Sequence, residues 1–438
     1  MRVCGVYFVF VILLSACTNG VSHLDIALQQ AKHNKAELEK VLKHFKHDSL
    51  KYRAACFLIE NMPGKYSILP YDSLDRYKNF LKIIPQNDPI SWDVRYSKIW
   101  HGFDSISKRQ LAGFSKIEDI KVITGDYLIK NIEYAFKIWE NGKIKDYCSF
   151  DEFCHYILPY RIDHEPLSNW REEGFQKFGH LLDSLMSPRE LALRIIKLGG
   201  MRYNIGMTKY PYKQSYAEML QTRWGTCDDM AAFLALSLRA IGIPASIDYV
   251  PAWANRSSSH CWNVVKDATG DFIEVGYGPE GKNEVVYKIS KIYRKKYDIP
   301  LCDVTSEYAM PLSDLTFRVP SQKDKQLISL CTFNNHDWVP VALSKVMNGS
   351  VLFESVGRGI LWGDNQIRTY LNEGKGIVFL AFISQNGRLN NKPIGFPIIL
   401  LEDGTIKELC ASTEKESIIL YRKYPYLSLI HISEPTRP

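Results

Sequence analysis

Apolar residues recur at helical spacing through the first part of the chain and alternate with polar ones through the last. From His23 to Trp170 the pattern is mainly helical. Leu24, Ile26 and Leu28 lead into Leu38, Val41, Leu42 and Phe45, an apolar stripe on a charged helix. Leu50 to Met62 carries Ala54, Ala55, Phe57, Leu58 and Ile59 and stops at Pro63-Gly64. Ile129 to Trp139 predicts another helix, closed by Asn141-Gly142, and Ser187 to Gly199 one more, with Leu191, Ala192, Ile195 and Ile196 in register. Residues 200–226 are Tyr-rich and irregular; a strong helix follows Thr226 and a strand pair follows His260. Beyond Pro300 the rhythm changes to short runs: 315–319, 326–333, 338–343, 351–356, 377–383 and 396–401, separated by Asn-, Asp- and Gly-rich turns. That is the pattern of an antiparallel β-sandwich.

Composition changes this picture little. The chain has 438 residues, 46% hydrophobic and 24% charged, enough for real cores and unlike a disordered chain. A net charge of +7 over this length is too mild to argue for a nucleic-acid partner. The ends are more informative. Met1-Arg2, an apolar run Val3 to Leu14 and then Leu14-Ser15-Ala16-Cys17 read as a secretory signal. The Cys after Leu-Ser-Ala resembles a bacterial lipobox, which implies a lipid anchor at Cys17 and an exported, outer-membrane lipoprotein. At the other end, Ile430 to Pro438 resembles a translated sequencing adapter, so residues 427–438 are set aside. The remaining Cys show no CxxC and no regular spacing, so neither zinc nor a particular disulfide is indicated.

The chemistry sits in Arg223-Trp224-Gly225-Thr226-Cys227-Asp228-Asp229-Met230. Thr226 with Asp229 three residues on is a capping-box pattern, which places Cys227 at the first helical position. Free amides and the dipole at a helix start favour thiolate, so Cys227 is a candidate nucleophile; the bland reading is a small buried Cys. Met230 to Leu238 makes the helix largely apolar, Gly242 ends it and Pro244 prevents its resumption. Ser259-His260-Cys261-Trp262-Asn263-Val264 alternates like a strand, Ala268-Thr269-Gly270 turns, and Phe272 to Val275 returns. His260 at the strand mouth is a candidate base for a thiol.

Together these pieces resemble the transglutaminase-like superfamily of papain-type folds. Gly225-Thr226-Cys227 stands at a helix start, Arg239-Ala240-Ile241-Gly242-Ile243-Pro244 follows, and then His260-Cys261-Trp262-Asn263, all in the family's order. Leu158-Pro159-Tyr160-Arg161-Ile162 and Asn169-Trp170-Arg171 are more loosely similar to lipoprotein members from Bacteroidetes. With the patterns above, the expected fold is α+β: a signal peptide over 1–16, a helical N-terminal region over 17–185, the transglutaminase-like core that the resemblance implies over 186–300 and a β-sandwich accessory domain over 301–426. The resemblance implies a Cys227–His260 thiol hydrolase of peptide or amide bonds, without cofactor or metal. Its partners would be a peptide or protein substrate, possibly glycan-linked, and the membrane through the anchor at Cys17. Trp224 would wall the substrate groove or pack under the helix.

The family's third residue, an Asp, falls at Gly276 here, which cannot orient an imidazole. Glu274, two residues back on the same strand face, is the first substitute; Glu280, Asp271 and a backbone or amide acceptor are others. Without such a group the chain would be a weakened or inactive binding protein for peptide or glycan at the cell envelope. Asp228 and Asp229 either hold substrate amines or cap the helix. Asp163-His164-Glu165 reads as a solvated loop rather than a metal site, and Lys291, Arg294, Lys295 and Lys296 as a solvated helix face.

Overall fold

The computed structural model describes residues 22–69, 115–141, 143–203, 213–255, 258–276, 287–299, 301–319, 324–334, 337–361, 367–369, 376–385 and 388–410. Cys17, Glu280 and the 427–438 tail lie outside them. The helices are α1 (His23–Ala31), α2 (Lys35–His44), α3 (Ser49–Glu60), α4 (Gly125–Asn141), α5 (Phe150–Tyr156), α6 (Trp170–Phe178), α7 (Pro188–Gly199), α8 (Tyr216–Thr222) and α9 (Cys227–Ala240). No helix among the described residues is long and apolar enough to cross a membrane. The helices predicted from the apolar stripes are present within a few residues of their expected bounds, except that the single helix expected from Leu24 to Phe45 is broken at Lys32, φ 53°, into α1 and α2.

Helix starts follow their caps. Ser187 accepts from the Glu190 amide while Glu190 returns to the Ser187 amide, and Gly200 closes α7 in the left-handed region at φ 63°. Before α4, β1 (Tyr66–Leu69) and β2 (Ser115–Glu118) pair antiparallel. Arg161 ties this pair to the loop after α5: its guanidinium donates to the Tyr66 and Asp163 carbonyls, to Ser67 Oγ at 3.0 Å and to Asp119 Oδ1 at 2.7 Å. The Leu158–Ile162 stretch is thus a buried hub.

The central sheet runs β10-β9-β5-β6-β7, all antiparallel, with β5 (Ala245–Val250), β6 (His260–Lys266), β7 (Phe272–Val275), β9 (Tyr293–Arg294) and β10 (Cys302–Asp303). A short parallel pair, β3 (Arg202–Tyr203) with β4 (Trp224–Gly225), leads into α9. Helix α9 packs on the sheet and is buried on every side from Asp229 to Ala240, which explains its all-round apolar sequence. One apolar core joins Leu38 and Phe136 of the N-terminal helices to Phe233 of α9 and Val265 of β6.

The C-terminal region is antiparallel, as the alternating runs predict. Strands β11 (Leu312–Arg318), β12 (Leu327–Asn334), β13 (Asp337–Met347), β14 (Ser350–Gly357), β17 (Ile377–Gln385), β18 (Arg388–Leu400) and β19 (Ile406–Glu408) form one sheet in the order β11-β14-β13-β12-β17-β18-β19. All but β19 contribute to a shared core that includes Leu315, Leu330, Val351 and Phe379. Strand β8 (Tyr287–Ile289), just before β9, pairs with β15 (Gly359–Leu361), which pairs with β16 (Ile367–Thr369), so a sheet crosses between the two regions. The basic run 291–296 is no solvated helix face. Its centre is β9, and Lys291 and Arg294 are buried, Lys291 donating to the Glu354 carbonyl.

Candidate active site

Cys227 opens α9. Thr226 Oγ1 accepts from the Asp229 amide at 3.4 Å, and Asp229 Oδ2 accepts from the Thr226 amide at 2.9 Å, the predicted box. Asp229 is therefore the capping acid. Gly225 lets it close: a Cβ there would stand 2.6 Å from Asp229 Cβ. The helix ends as its sequence predicts, with Gly242 at φ 84° against Ile138.

His260 begins β6 and lies half-buried, like Cys227. His260 and Cys261 are the two neighbours that act on the Cys227 sulfur. Cys261 first, then His260, holds the Cys227 thiol well below its ordinary pKa, against burial and the Asp228 charge. The His260 ring lies along Trp253, with centroids 5.8 Å apart and planes at 25°, and beside Trp262 at 6.0 Å. These aromatic faces fix the ring's tilt.

The register separates Glu274 from His260. Val264 faces Glu274 and Asn263 faces Val275. Glu274 shares the His260 face, but four residues along β6 is about 13 Å at ~3.3 Å per residue. It neighbours Tyr308 electrostatically instead. Among the described residues no acidic side chain lies within 4.0 Å of the His260 nitrogens. The sequence reading missed the buried acid of this face, Asp248, which pairs with Trp262 in register. Arg294 donates to both its oxygens at 2.8 and 2.9 Å, Tyr308 Oη donates at 2.6 Å, and Trp262 Nε1 donates to Tyr308 Oη at 2.9 Å. An acid inside the apolar Ala245–Val250 strand was the available signal.

Charged neighbours close the other flank. Asp228 does not cap; Lys213 Nζ lies 3.4 Å from its Oδ2, and the Cys261 thiol donates to its Oδ1 at 3.4 Å. Lys295 reaches Asp163 at 3.0 Å. Glu165 accepts from the Ile162 and Asp163 amides at 2.6 and 2.7 Å, so these acids have partners other than a metal. Among the described residues no group of three His, Cys, Asp or Glu has the arrangement of a metal site. The Trp224 side chain is 5% exposed; its carbonyl accepts from Gln214 and its amide donates to Thr222. The ring is closed to solvent, with the Arg202 guanidinium 6.0 Å from its centroid.

The C-terminal region reaches the site. Asn334 of β12 donates to the Trp253 and Ser258 carbonyls at 3.1 and 3.0 Å and accepts from the Ser258 amide at 3.1 Å. It thereby pins the loop that carries Trp253 and leads into His260. An accessory role distant from the motif does not describe this contact. Asn334→Ala removes all three bonds, a cost of about 1–3 kcal/mol. It is expected to slow alkylation of Cys227, read by iodoacetamide labelling; an unchanged rate in a folded variant would make the hook purely structural.

The family model of the transglutaminase-like superfamily matches residues 180–276, the span from just before α7 through β7. The chain carries a transglutaminase-like domain, and both Cys227 and His260 fall inside it. A solved structure of a candidate cysteine protease from Cytophaga hutchinsonii is similar at 12% identity and a TM-score of 0.21, over 52% of this chain and 53% of that one. No curated protein sequence matches the chain.

Proposed function

We propose that this chain is a thiol hydrolase of peptide or amide bonds, exported and lipid-anchored through Cys17. The observation that carries the reading is the placement of Cys227 at the first position of a capped, buried helix that packs on β6, the strand that opens with His260. In the proposed reaction Cys227 Sγ attacks the carbonyl carbon, and the carbonyl electron pair moves to oxygen. Backbone N–H groups at the start of α9, which lack helical partners, receive that oxyanion. His260 takes the thiol proton and returns it to the leaving amine as the C–N bond breaks. Water, deprotonated by His260, then attacks the thioester; the acid leaves and Cys227 is restored.

Because the Cys227 pKa is lowered, thiolate persists below the ordinary thiol range and is lost only as pH falls through the lowered value. Iodoacetamide is therefore expected to label Cys227 faster than the other thiols from pH 6 to 7, read by mass spectrometry of each cysteine peptide. Peptide-library profiling should show cleavage by wild type and none by Cys227→Ala. Slow labelling together with no cleavage would favour a binding protein of the same fold, the reading that the absence of an acid beside His260 among the described residues supports.

A further inference from the structure

Cys261 is a second thiol at the site, and the chemistry above leaves it without a task. It lies one residue after His260, on the opposite face of β6, and is 5% exposed. That face looks onto α9: Asn263 Nδ2, two residues on, donates to the Ala231 carbonyl at 2.8 Å, one helical turn from Cys227. Cys261 packs with Ala231, Ala232 and Ala235, and Cys227 rests against the same cluster. Its thiol donates to Asp228 Oδ1 at 3.4 Å, on the residue that follows Cys227. Apolar packing alone needs no sulfur there, since Ala or Val would fill the cluster.

We propose that Cys227 and Cys261 form a reversible disulfide when a peroxide reaches the site, which silences the nucleophile and protects it from irreversible oxidation. The inference rests on Cys227 being the reactive thiol of the proposed function. Hydrogen peroxide transfers one oxygen to the Cys227 thiolate: an S–O bond forms, the O–O bond breaks, and hydroxide leaves. Cys227 is oxidised to a sulfenic acid and the peroxide reduced. The Cys261 sulfur then attacks the Cys227 sulfur, the S–S bond forms, and the S–OH bond breaks. The thiol proton of Cys261 leaves with that hydroxyl as water. Cys227 is the half-buried partner and meets the oxidant; Cys261, already in contact, needs no access of its own. A dithiol reductant reverses the bond by exchange. A disulfide asks for Cβ atoms about 3.5–4.5 Å apart, and Cys227 and Cys261 rest against one cluster on facing elements.

The test uses the full chain. Purified protein is treated with hydrogen peroxide, alkylated, digested with trypsin and mapped by mass spectrometry, with and without dithiothreitol. Wild type is expected to yield peptide 224–239 joined to peptide 257–266, two hydrogens lighter than the free pair, and dithiothreitol should return Cys227 labelling to its untreated level. In Cys261→Ser the link is absent and Cys227 proceeds to sulfinic and sulfonic acid, so the dithiothreitol-recoverable fraction falls about ten-fold. The proposal is overturned if wild-type Cys227 over-oxidises as fast as in Cys261→Ser, joins another cysteine, or stays reduced. If the serine variant does not fold, wild-type linkage alone decides. Fast labelling of untreated Cys227 without the link sinks only this inference, whereas slow labelling together with no peptide cleavage sinks the thiol-hydrolase reading beneath it.

Discussion

His260→Ala is expected to lower turnover by about 10²–10⁴-fold, the usual contribution of a positioned general base. Two losses combine. The imidazole no longer accepts the thiol proton, and the leaving amine has no donor. The ground state changes as well, because His260 is one of the two neighbours that depress the Cys227 pKa. Cys261 remains in the variant, so part of the depression survives and alkylation should fall less than turnover. The pH profile separates the effects: the labelling limb of His260→Ala should move to higher pH, while wild type labels readily near neutrality. Trp253 supplies a control, since it stacks on the ring without proton chemistry. Trp253→Leu should lower turnover with little movement of that limb. A His260→Ala protein whose turnover and labelling profile both match wild type would remove His260 from the mechanism.

What the sequence disclosed was local. The Thr226–Asp229 box, the helix between Cys227 and Ala240 and the left-handed Gly242 all follow from residues a few positions apart, and each stands where expected. The C-terminal strands were legible for the same reason, since alternation is a property of one strand. The third member of the site was not. Counting along a single strand put Glu274 near His260, whereas the β6–β7 register sets the distance and is invisible in the β7 sequence alone. Asp248 finds Arg294 and Tyr308, and Trp253 finds Asn334, across long stretches of chain. The 291–296 run misled because charge suggests solvent, while Arg294 is 3% exposed and paired. Cys261 hid inside a motif whose other residues drew the reading.

The network beneath the site predicts the largest stability loss. Asp248 is 0% exposed and accepts two bonds from Arg294 and one from Tyr308, which in turn accepts from Trp262. Asp248→Ala leaves the Arg294 guanidinium buried with only the half-exposed Glu307 as its acid partner, and strands the Tyr308 hydroxyl. Removing one partner of a buried ion pair costs about 3–5 kcal/mol. Urea unfolding followed by tryptophan fluorescence should show that loss, with Trp262 a reporter inside the network. Replacing the pair with apolar side chains of similar size, Asp248→Leu with Arg294→Met, should recover much of it, because desolvation of both charges is relieved together. The consequence for chemistry follows from topology: β5 holds β6 by the register Val250 to His260 and Asp248 to Trp262. Asp248→Ala should therefore slow Cys227 labelling in the folded fraction, and the double replacement should restore it in part. A loss under about 1 kcal/mol, the scale of a surface pair, would show that the network is not what seats His260.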